Sequence, residues 1–91
     1  MLRRAVLTGH KHVAEFLISH GADVNAKENI GWTPLHSAVL HDHIDLAKLL
    51  LKKGADINAE YGRGRNTPLS VAKGVSSTEI VELLRKHGAK E

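Results

Sequence analysis

Histidine is the residue type with the widest chemical range in this sequence, which has seven histidines and no cysteine. Two close pairs occur in His10-Lys11-His12 and His41-Asp42-His43, and His36 follows the tripeptide Thr33-Pro34-Leu35. Imidazole can bind zinc or act as a general base, but both tasks need further groups that converge on one point. Residues two apart on a helix point to different sides, and neither pair brings a third convergent carboxylate or thiolate. We therefore predict a non-enzymatic protein with no catalytic residue, no metal site and no cofactor.

A second candidate for ligand chemistry is the segment Gly62-Arg63-Gly64-Arg65. A phosphate-binding loop would need the Gly-x-x-x-x-Gly-Lys pattern after a strand, which is absent. Binding of single-stranded nucleic acid would need a longer basic surface with several stacking aromatics, whereas Tyr61 is the one tyrosine of the chain. The net charge is only +3, with neutral histidines. These features disfavour nucleic acid and favour either a solvated turn or a recognition tip for an acidic protein.

The composition limits the kind of protein further. At 91 residues the chain is one small domain or part of a longer array. Without cysteine, packing alone must stabilise it, which suits a reducing compartment. No apolar run approaches the length of about 18 residues that a membrane span needs. We expect a soluble, intracellular (cytoplasmic) protein that does not contact a membrane.

The sequence repeats itself with a nearly constant period. The segment GADVNA at 21–26 returns as GADINA at 54–59, thirty-three residues later, and Gly88-Ala89 follows after thirty-four more. The tripeptide Thr33-Pro34-Leu35 returns as Thr67-Pro68-Leu69, again at thirty-four. Agreement of two separate markers on one spacing indicates a repeat architecture, in which each unit needs its neighbours to bury its apolar side.

Each unit has the signals of two helices. Thr33 can cap a helix through its hydroxyl group, and Pro34 suits the first helical position. Residues 44–53 form a second amphipathic run, which ends at Gly54 as a left-handed terminator. The third unit repeats this order, with Ser77 or Thr78 as the cap of its second helix. The pattern predicts helix, turn, helix and loop in every unit.

These motifs together resemble the ankyrin repeat: the run TPLHSAV at 33–39, the two GADxNA loops and the period. The resemblance covers almost the whole chain. It implies an all-α solenoid of stacked antiparallel helix pairs with projecting hairpin-like loops. It divides a single domain, 1–91, into a partial first repeat at 1–27, a second repeat at 28–60 and a third, capping repeat at 61–91.

The resemblance also implies a role for His36. In the family this histidine is structural, and its ring bonds to the threonine and to nearby loop backbone. Ser70 takes the place of His36 in the third unit, and an essential catalytic group would not be expected to vary between equivalent units. Histidines at the positions of His10 and His43 stabilise loops in the family. We therefore expect these rings to support the scaffold.

Ankyrin repeats usually bind partners on the concave side, through loop tips and first helices. The resemblance implies that the matching positions of this chain bind a protein partner of unknown identity. These positions are Asn29, Ile30, Trp32, Leu40, His41, Tyr61, Arg63, Arg65 and Asn66. Tryptophan, tyrosine and arginine are the residue types that contribute most to interface energies. An alternative for Trp32 is that it only covers its neighbouring loop.

The two ends of the chain leave a second function open. Arg85 stands where Ile18 and Leu51 stand in the earlier units, and Lys73 replaces an apolar residue, as a capping unit requires. The chain is therefore either an interaction module or the C-terminal capping fragment of a longer ankyrin-repeat protein whose functional part lies upstream. At the other end we expect exposed apolar surface at four residues, and hence a monomer or weak self-association through this open N-terminal face: Leu2, Ala5, Val13 and Leu17.

Overall fold

The structure, a computed structural model, describes residues 2–64, 66–75 and 78–89. These residues form six α-helices and one short 3₁₀ helix, Asn29–Gly31, and they contain no β-strand. The helices in chain order are α1 (Leu2–Leu7), α2 (Lys11–Ser19), α3 (Pro34–Leu40), α4 (Ile44–Lys52), α5 (Pro68–Val75) and α6 (Thr78–Lys86). The predicted all-α class is confirmed.

The helices form three antiparallel pairs that stack in chain order. An inner row consists of α1, α3 and α5, and an outer row consists of α2, α4 and α6. Each helix contacts its own pair partner and the helices of the adjacent pair in the same row. Alanines of the inner row are buried at equivalent positions, Ala5, Ala38 and Ala72, and let the rows approach closely. The core is one cluster that runs through all three pairs.

The start of α3 follows the predicted cap. Thr33 has extended backbone angles, and its hydroxyl oxygen accepts the His36 amide at 3.5 Å. The His36 ring in turn accepts the Thr33 amide, which completes a reciprocal capping box. In the third pair, Thr67 and Ser70 make the same reciprocal contacts at 3.3 Å. A serine therefore replaces the histidine within this cap.

The turns inside the first two pairs use left-handed backbone. Gly9 has φ +76°, and a Cβ there would lie 2.9 Å from the ring of His43. Asp42 takes the equivalent position in the second pair with φ +58°. Aspartate tolerates this conformation better than most residues. The third equivalent, Ser76, and the predicted cap Ser77 lie outside the described residues.

Polar contacts join successive pairs at their edges. The His43 Nε2–H donates to the Leu7 carbonyl oxygen at 3.3 Å. Asn25 uses both ends of its amide, donating to the Gly54 carbonyl at 3.1 Å and accepting the Asp56 amide at 2.7 Å. These contacts fix the register between pairs because each connects residues about thirty positions apart.

The exposed ends of the stack differ from each other. At the C-terminal end Lys73 and Arg85 are exposed. At the N-terminal end Val13 is exposed, as expected, and Leu17 is only half-buried. The expectation was wrong for Leu2 and Ala5, which are buried. These two side chains are covered because α1 packs against both α2 and α3. None of the helices formed by the described residues is long and apolar enough to cross a membrane.

Because each pair depends on its neighbours, one cavity in the middle of the stack should affect the whole chain. We expect Leu49→Ala, at a buried leucine of α4, to lower the free energy of unfolding by about 2–5 kcal/mol. Val13→Ala is the matched control, because it removes methyl groups from an exposed site on α2 and should change stability by less than about 1 kcal/mol. Chemical denaturation followed by circular dichroism measures both. Equal losses for the two variants would contradict the stacked core.

Candidate functional site

Two loops project from the inner row and contact each other. In the first, the Glu28 amide donates to the Trp32 carbonyl at 2.8 Å. In the second, Tyr61 and Asn66 exchange backbone hydrogen bonds of 2.9 and 3.2 Å. The Gly62 amide donates to the Ile30 carbonyl at 2.8 Å and so joins one loop to the other. We call residues 28–32 together with 60–64 and 66 the loop pair.

The two backbones of the loop pair approach closely at Gly31. This glycine has φ +90°, and a Cβ there would lie only 2.8 Å from the carbonyl oxygen of Glu60. Any side chain would therefore force the loops apart. The contact requires glycine, and it makes the loop pair one body rather than two independent tips.

An aromatic cluster at the start of helix α3 packs against the loop pair. The Trp32 ring stacks on His36 at a centroid distance of 5.0 Å and meets Tyr61 edge-on at 4.5 Å. The Trp32 indole N–H donates to the Ser37 hydroxyl at 2.6 Å. Both Trp32 and Tyr61 are half-buried. Trp32 thus covers its neighbouring loop, as one interpretation of the sequence had it, and its role in partner binding stays a prediction.

His36 is the buried centre of this arrangement. Its Nδ1 lies 3.1 Å from the Thr33 amide and 2.8 Å from the Thr33 hydroxyl. Its Nε2 lies 3.1 Å from the Ala59 carbonyl oxygen and 3.3 Å from that of Asn66. Since an amide only donates and a carbonyl only accepts, the ring is neutral, with its proton on Nε2. The histidine therefore ties α3 to the second loop, which agrees with the predicted scaffold role.

The environment of His36 lowers its pKa below the ordinary value. Burial is the main cause, because it disfavours the charged imidazolium. The carbonyl groups of Asn66 and Ala59 and the charge of Asp56 oppose this effect without cancelling it. Protonation of Nδ1 would also set its new N–H against the amide N–H of Thr33. Both nitrogens are occupied, so the ring presents no free atom to a substrate.

The first-unit counterpart of His36 makes a different link. Arg3 occupies the equivalent position, and its Nε lies 3.1 Å from a carboxylate oxygen of Glu28. Both side chains are substantially exposed, so this ion pair contributes little, at most about 1 kcal/mol. It still connects the first helix pair to the first loop, as His36 connects the second helix pair to the second loop. Sequence reasoning missed this pair, since nothing in the residue spacing indicates it.

The structure brings some of the predicted partner-binding residues together in a groove. Leu40, Tyr61 and Asn66 line a depression of about 310 Å³ beside the second loop. Four α5 residues that sequence reasoning missed complete the lining: Ser70, Val71, Gly74 and Val75. Applying the repeat period to the predicted Leu40 and His41 would have identified Gly74 and Val75, their equivalents in the third unit.

The remaining predicted residues do not line this groove. Asn29, His41 and Arg63 are exposed and are not part of the groove lining. Ile30 is 69% exposed at the tip of the first loop. Arg65 lies outside the described residues. The described part of the predicted set is thus divided between residues that line the groove, exposed residues outside it and the half-buried Trp32.

Ile30 has a strained backbone. Its φ is +60° and its ψ +15°, a left-handed conformation that β-branched residues rarely adopt. Strain of this kind costs on the order of 1–3 kcal/mol and concentrates at functional sites. The hydrogen bond from Gly62 to the Ile30 carbonyl is one of the contacts that hold the conformation. The fold therefore maintains an exposed isoleucine at a position where a glycine or asparagine would be less strained.

The histidine pairs do not assemble into a metal site. A larger groove of about 570 Å³ on the turn side of the stack is lined in part by His10, His12 and His43. Thr8 hydrogen-bonds to His10 at 2.9 Å, and His43 contacts Leu7. Among residues 2–64, 66–75 and 78–89, no three or more histidine, aspartate or glutamate side chains lie close enough to hold a metal ion.

Comparison with known proteins agrees with this architecture. A family model described as ankyrin repeats in three copies matches residues 1–61. The match covers more than half of the chain. It includes the first two helix pairs, the first loop of the loop pair and residues 60 and 61 of the second. The chain belongs to the ankyrin-repeat family.

Among curated proteins the chain is similar to segments of longer molecules. It is 43% identical over 35 residues to human protein phosphatase 1 regulatory subunit 27, over 38% of this chain and 23% of that protein. It is 48% identical over 33 residues to the potassium channel AKT1 of Oryza sativa subsp. indica, over 36% of this chain and 4% of the channel. The matched segments thus span less than a quarter of the curated relatives, about the length of one repeat.

The neutral state of His36 predicts how stability depends on pH. Because its pKa is lower in the folded chain than in the unfolded chain, the unfolded chain binds more protons between the two values. The stabilisation is fully present above about pH 6.5 and is lost as the pH falls from there toward the lowered pKa. Thermal unfolding measured from pH 7.5 to 5 should therefore show a decreasing midpoint.

The variant His36→Ser, which copies Ser70 of the third pair, should be less stable at pH 7.5 and show a weaker pH dependence. His12→Gln removes an exposed histidine and should retain the slope of the wild type. An unchanged slope in the His36 variant would contradict the assignment.

The strain at Ile30 predicts a stabilising substitution. Ile30→Asn should raise the free energy of unfolding by about 1 kcal/mol, because asparagine tolerates the left-handed conformation and the exposed side chain loses little burial. Ile30→Val keeps the branched Cβ and should stay within about 0.5 kcal/mol of wild type. Urea denaturation compares the three chains. A loss of stability in the asparagine variant would show that the loop is not strained.

Proposed function

We propose that this chain is a non-enzymatic protein-interaction module that binds an extended segment of a protein partner on the loop pair and the groove below it. The observation that carries the proposal is the exposed, strained Ile30 on a loop pair that is rigidly joined at Gly31. Nothing in the packing of the described fold needs an isoleucine there, whereas a binding surface gains from an exposed apolar anchor. Membership of the ankyrin-repeat family supports the same role.

The rigidity of this surface favours binding. Backbone hydrogen bonds, the close contact at Gly31 and the His36 ring hold the loop pair before any partner arrives. Ordering loops and side chains on association costs free energy, and a preformed surface avoids much of that cost. The wall of the groove includes residues of helix α5.

The chemistry of the surface indicates the kind of segment it fits. Leu40, Val71 and Val75 supply apolar wall, and the Asn66 amide and the Ser70 hydroxyl supply polar atoms. Exposed Arg63 on the second loop adds positive charge at the rim. We infer a partner segment with an apolar side chain for the groove and acidic residues beside it. Such charges steer association and select the partner more than they add affinity.

The engagement of His36 supports the non-enzymatic part of the proposal. Burial lowers the pKa of this histidine, and both of its ring nitrogens are engaged by backbone or by Thr33. Its burial stabilises the fold. We place the protein in the cytoplasm, because a chain without cysteine suits a reducing compartment.

A second candidate is the capping function, with the functional part of a longer protein upstream. The observation that favours it is the exposure of Lys73 and Arg85 on the third helix pair, where the earlier pairs have Val39 buried and Leu51 half-buried. In this proposal repeats at 1–27 and 28–60 lead to a capping repeat at 61–91. The name of the human relative describes a regulatory subunit, which fits either candidate.

A peptide selection tests the interaction module. Random linear peptides displayed on phage are selected on the intact chain, and the dissociation constants of the selected peptides are measured by calorimetry. We expect sequences with one large apolar residue flanked by acidic residues. Leu40→Ser combined with Arg63→Ala should weaken them at least about tenfold, or 1.4 kcal/mol.

The matched control changes one aliphatic and one basic residue on another surface. Val13→Ser combined with Lys52→Ala alters exposed positions of the outer row and should leave affinity unchanged. Equal weakening by both double variants, or no selected peptide, would reject the proposed surface. Binding of an oligonucleotide that decreases steeply with salt would instead indicate the nucleic-acid alternative.

A further inference from the structure

The groove beside the second loop lies where one unit departs from the repeated sequence. Leu7 and Leu40 occupy equivalent positions at the ends of α1 and α3, and they are 38% and 42% exposed. Gly74 of α5 takes the same position in the third unit. Leu40, Gly74 and Val75 all line the groove, and the wall that α5 provides has no side chain at the glycine. The groove is therefore open at a point where the other two units have leucine.

Neither backbone conformation nor packing explains Gly74. It lies within α5 and does not have the positive φ of the turn glycines. A Cβ added to Gly74 would meet no atom of the described residues within 4 Å, apart from its chain neighbours and its own helix backbone, whereas a Cβ at Gly31 would collide with Glu60. Glycine is less favourable than alanine in a helix because it loses more conformational freedom on folding. The fold itself thus gives no reason for this glycine.

The lining of the groove indicates which side chain fits the open space. Leu40 and Val75 provide aliphatic contacts, and Tyr61 adds an aromatic ring. Asn66 and Ser70 bring an amide and a hydroxyl group to the same groove. Aromatic rings pair well with one another, and the N–H of tryptophan or the O–H of tyrosine usually finds a hydrogen-bond partner when the ring is buried. A large aromatic side chain with a polar tip matches this combination.

Charges beside the groove indicate the neighbours of that side chain. None of the described residues that line the groove is charged. Among the described residues of the second loop and α5, Arg63 and Lys73 are exposed cations and Glu60 is the exposed carboxylate. The excess of positive charge favours an acidic segment, because complementary charges select a partner and like charges exclude one.

We infer that the space left by Gly74 receives a tryptophan or tyrosine of the partner, next to an acidic residue, and that Gly74 determines which side chain the groove accepts. This inference rests on the proposed function as an interaction module and specifies the partner of the same site. A buried aromatic anchor that fills a pocket is the kind of contact that contributes most to the affinity of an interface.

The test repeats the peptide selection with Gly74 changed. Random linear peptides displayed on phage are selected on the intact wild-type chain, and calorimetry gives their dissociation constants for wild type, Gly74→Leu and Gly74→Ala. We expect the selected peptides to contain tryptophan or tyrosine beside aspartate or glutamate. Gly74→Leu copies Leu7 and Leu40 and should weaken them at least about tenfold, because its side chain fills the groove. Gly74→Ala should weaken them less.

Stability separates a filled groove from a damaged fold. Gly74→Ala should raise the midpoint of thermal unfolding by about 2–6 °C, since alanine is compatible with the helical backbone at this position. Gly74→Leu should not lower it. Lys48→Leu is the matched control, because it adds a leucine at an exposed position of α4 and should leave peptide affinity unchanged. If the leucine variant fails to fold, the alanine variant still combines a higher midpoint with weaker binding.

The outcomes separate this inference from the proposed function. Peptides that are weakened by Leu40→Ser with Arg63→Ala but bind wild type and Gly74→Leu equally would overturn the inference and leave the interaction module intact. Selection of aliphatic residues in place of aromatic ones would overturn the assigned occupant. If wild type selects no peptide, the proposed surface is rejected and the inference with it.

Discussion

The buried ring of His36 is the interaction on which the arrangement of the loops depends. It accepts from Thr33 at the start of α3 and donates to the carbonyls of Ala59 and Asn66 in the second loop. One neutral side chain thereby caps helix α3 and holds the loop that precedes helix α5. Trp32 and Tyr61 pack on the same ring. If this ring were charged or absent, the helix cap, the second loop and the aromatic cluster would lose a common support.

The stack follows from a shortage of apolar surface in each unit. A helix of six to nine residues is marginal alone, and a pair of them cannot enclose a core. Burial is completed by the next pair, so stability comes from interfaces between neighbours. The first and third pairs differ in what they expose. Lys73 and Arg85 are exposed on the third pair, whereas the apolar Val13 and Phe16 are exposed on the first.

Much of the fold could be predicted from local signals. The period, the Thr33-Pro34 start and the glycine terminators depend on contacts within one unit or between adjacent units, and spacing reveals these. The scaffold role of His36 was implied by the resemblance to the ankyrin repeat. The expected exposure of Leu2 and Ala5 was wrong, because α3 covers α1 from the side. The Arg3–Glu28 pair and the α5 wall of the groove were missed for a related reason, since they join residues of different units that match no repeated motif.

The sequence by itself determined the helix pairs, their order, the caps and the family, because hydrophobic period and capping chemistry act over a few residues. Only the tertiary structure decided which exposed residues share a surface. It joined Ile30 to Gly62, placed Leu40, Tyr61 and Asn66 in one groove, and left Phe16 uncovered while its counterpart Leu49 is buried. Exposure is a property of neighbours in space, and equivalent positions in a repeated sequence acquire different neighbours according to their place in the stack.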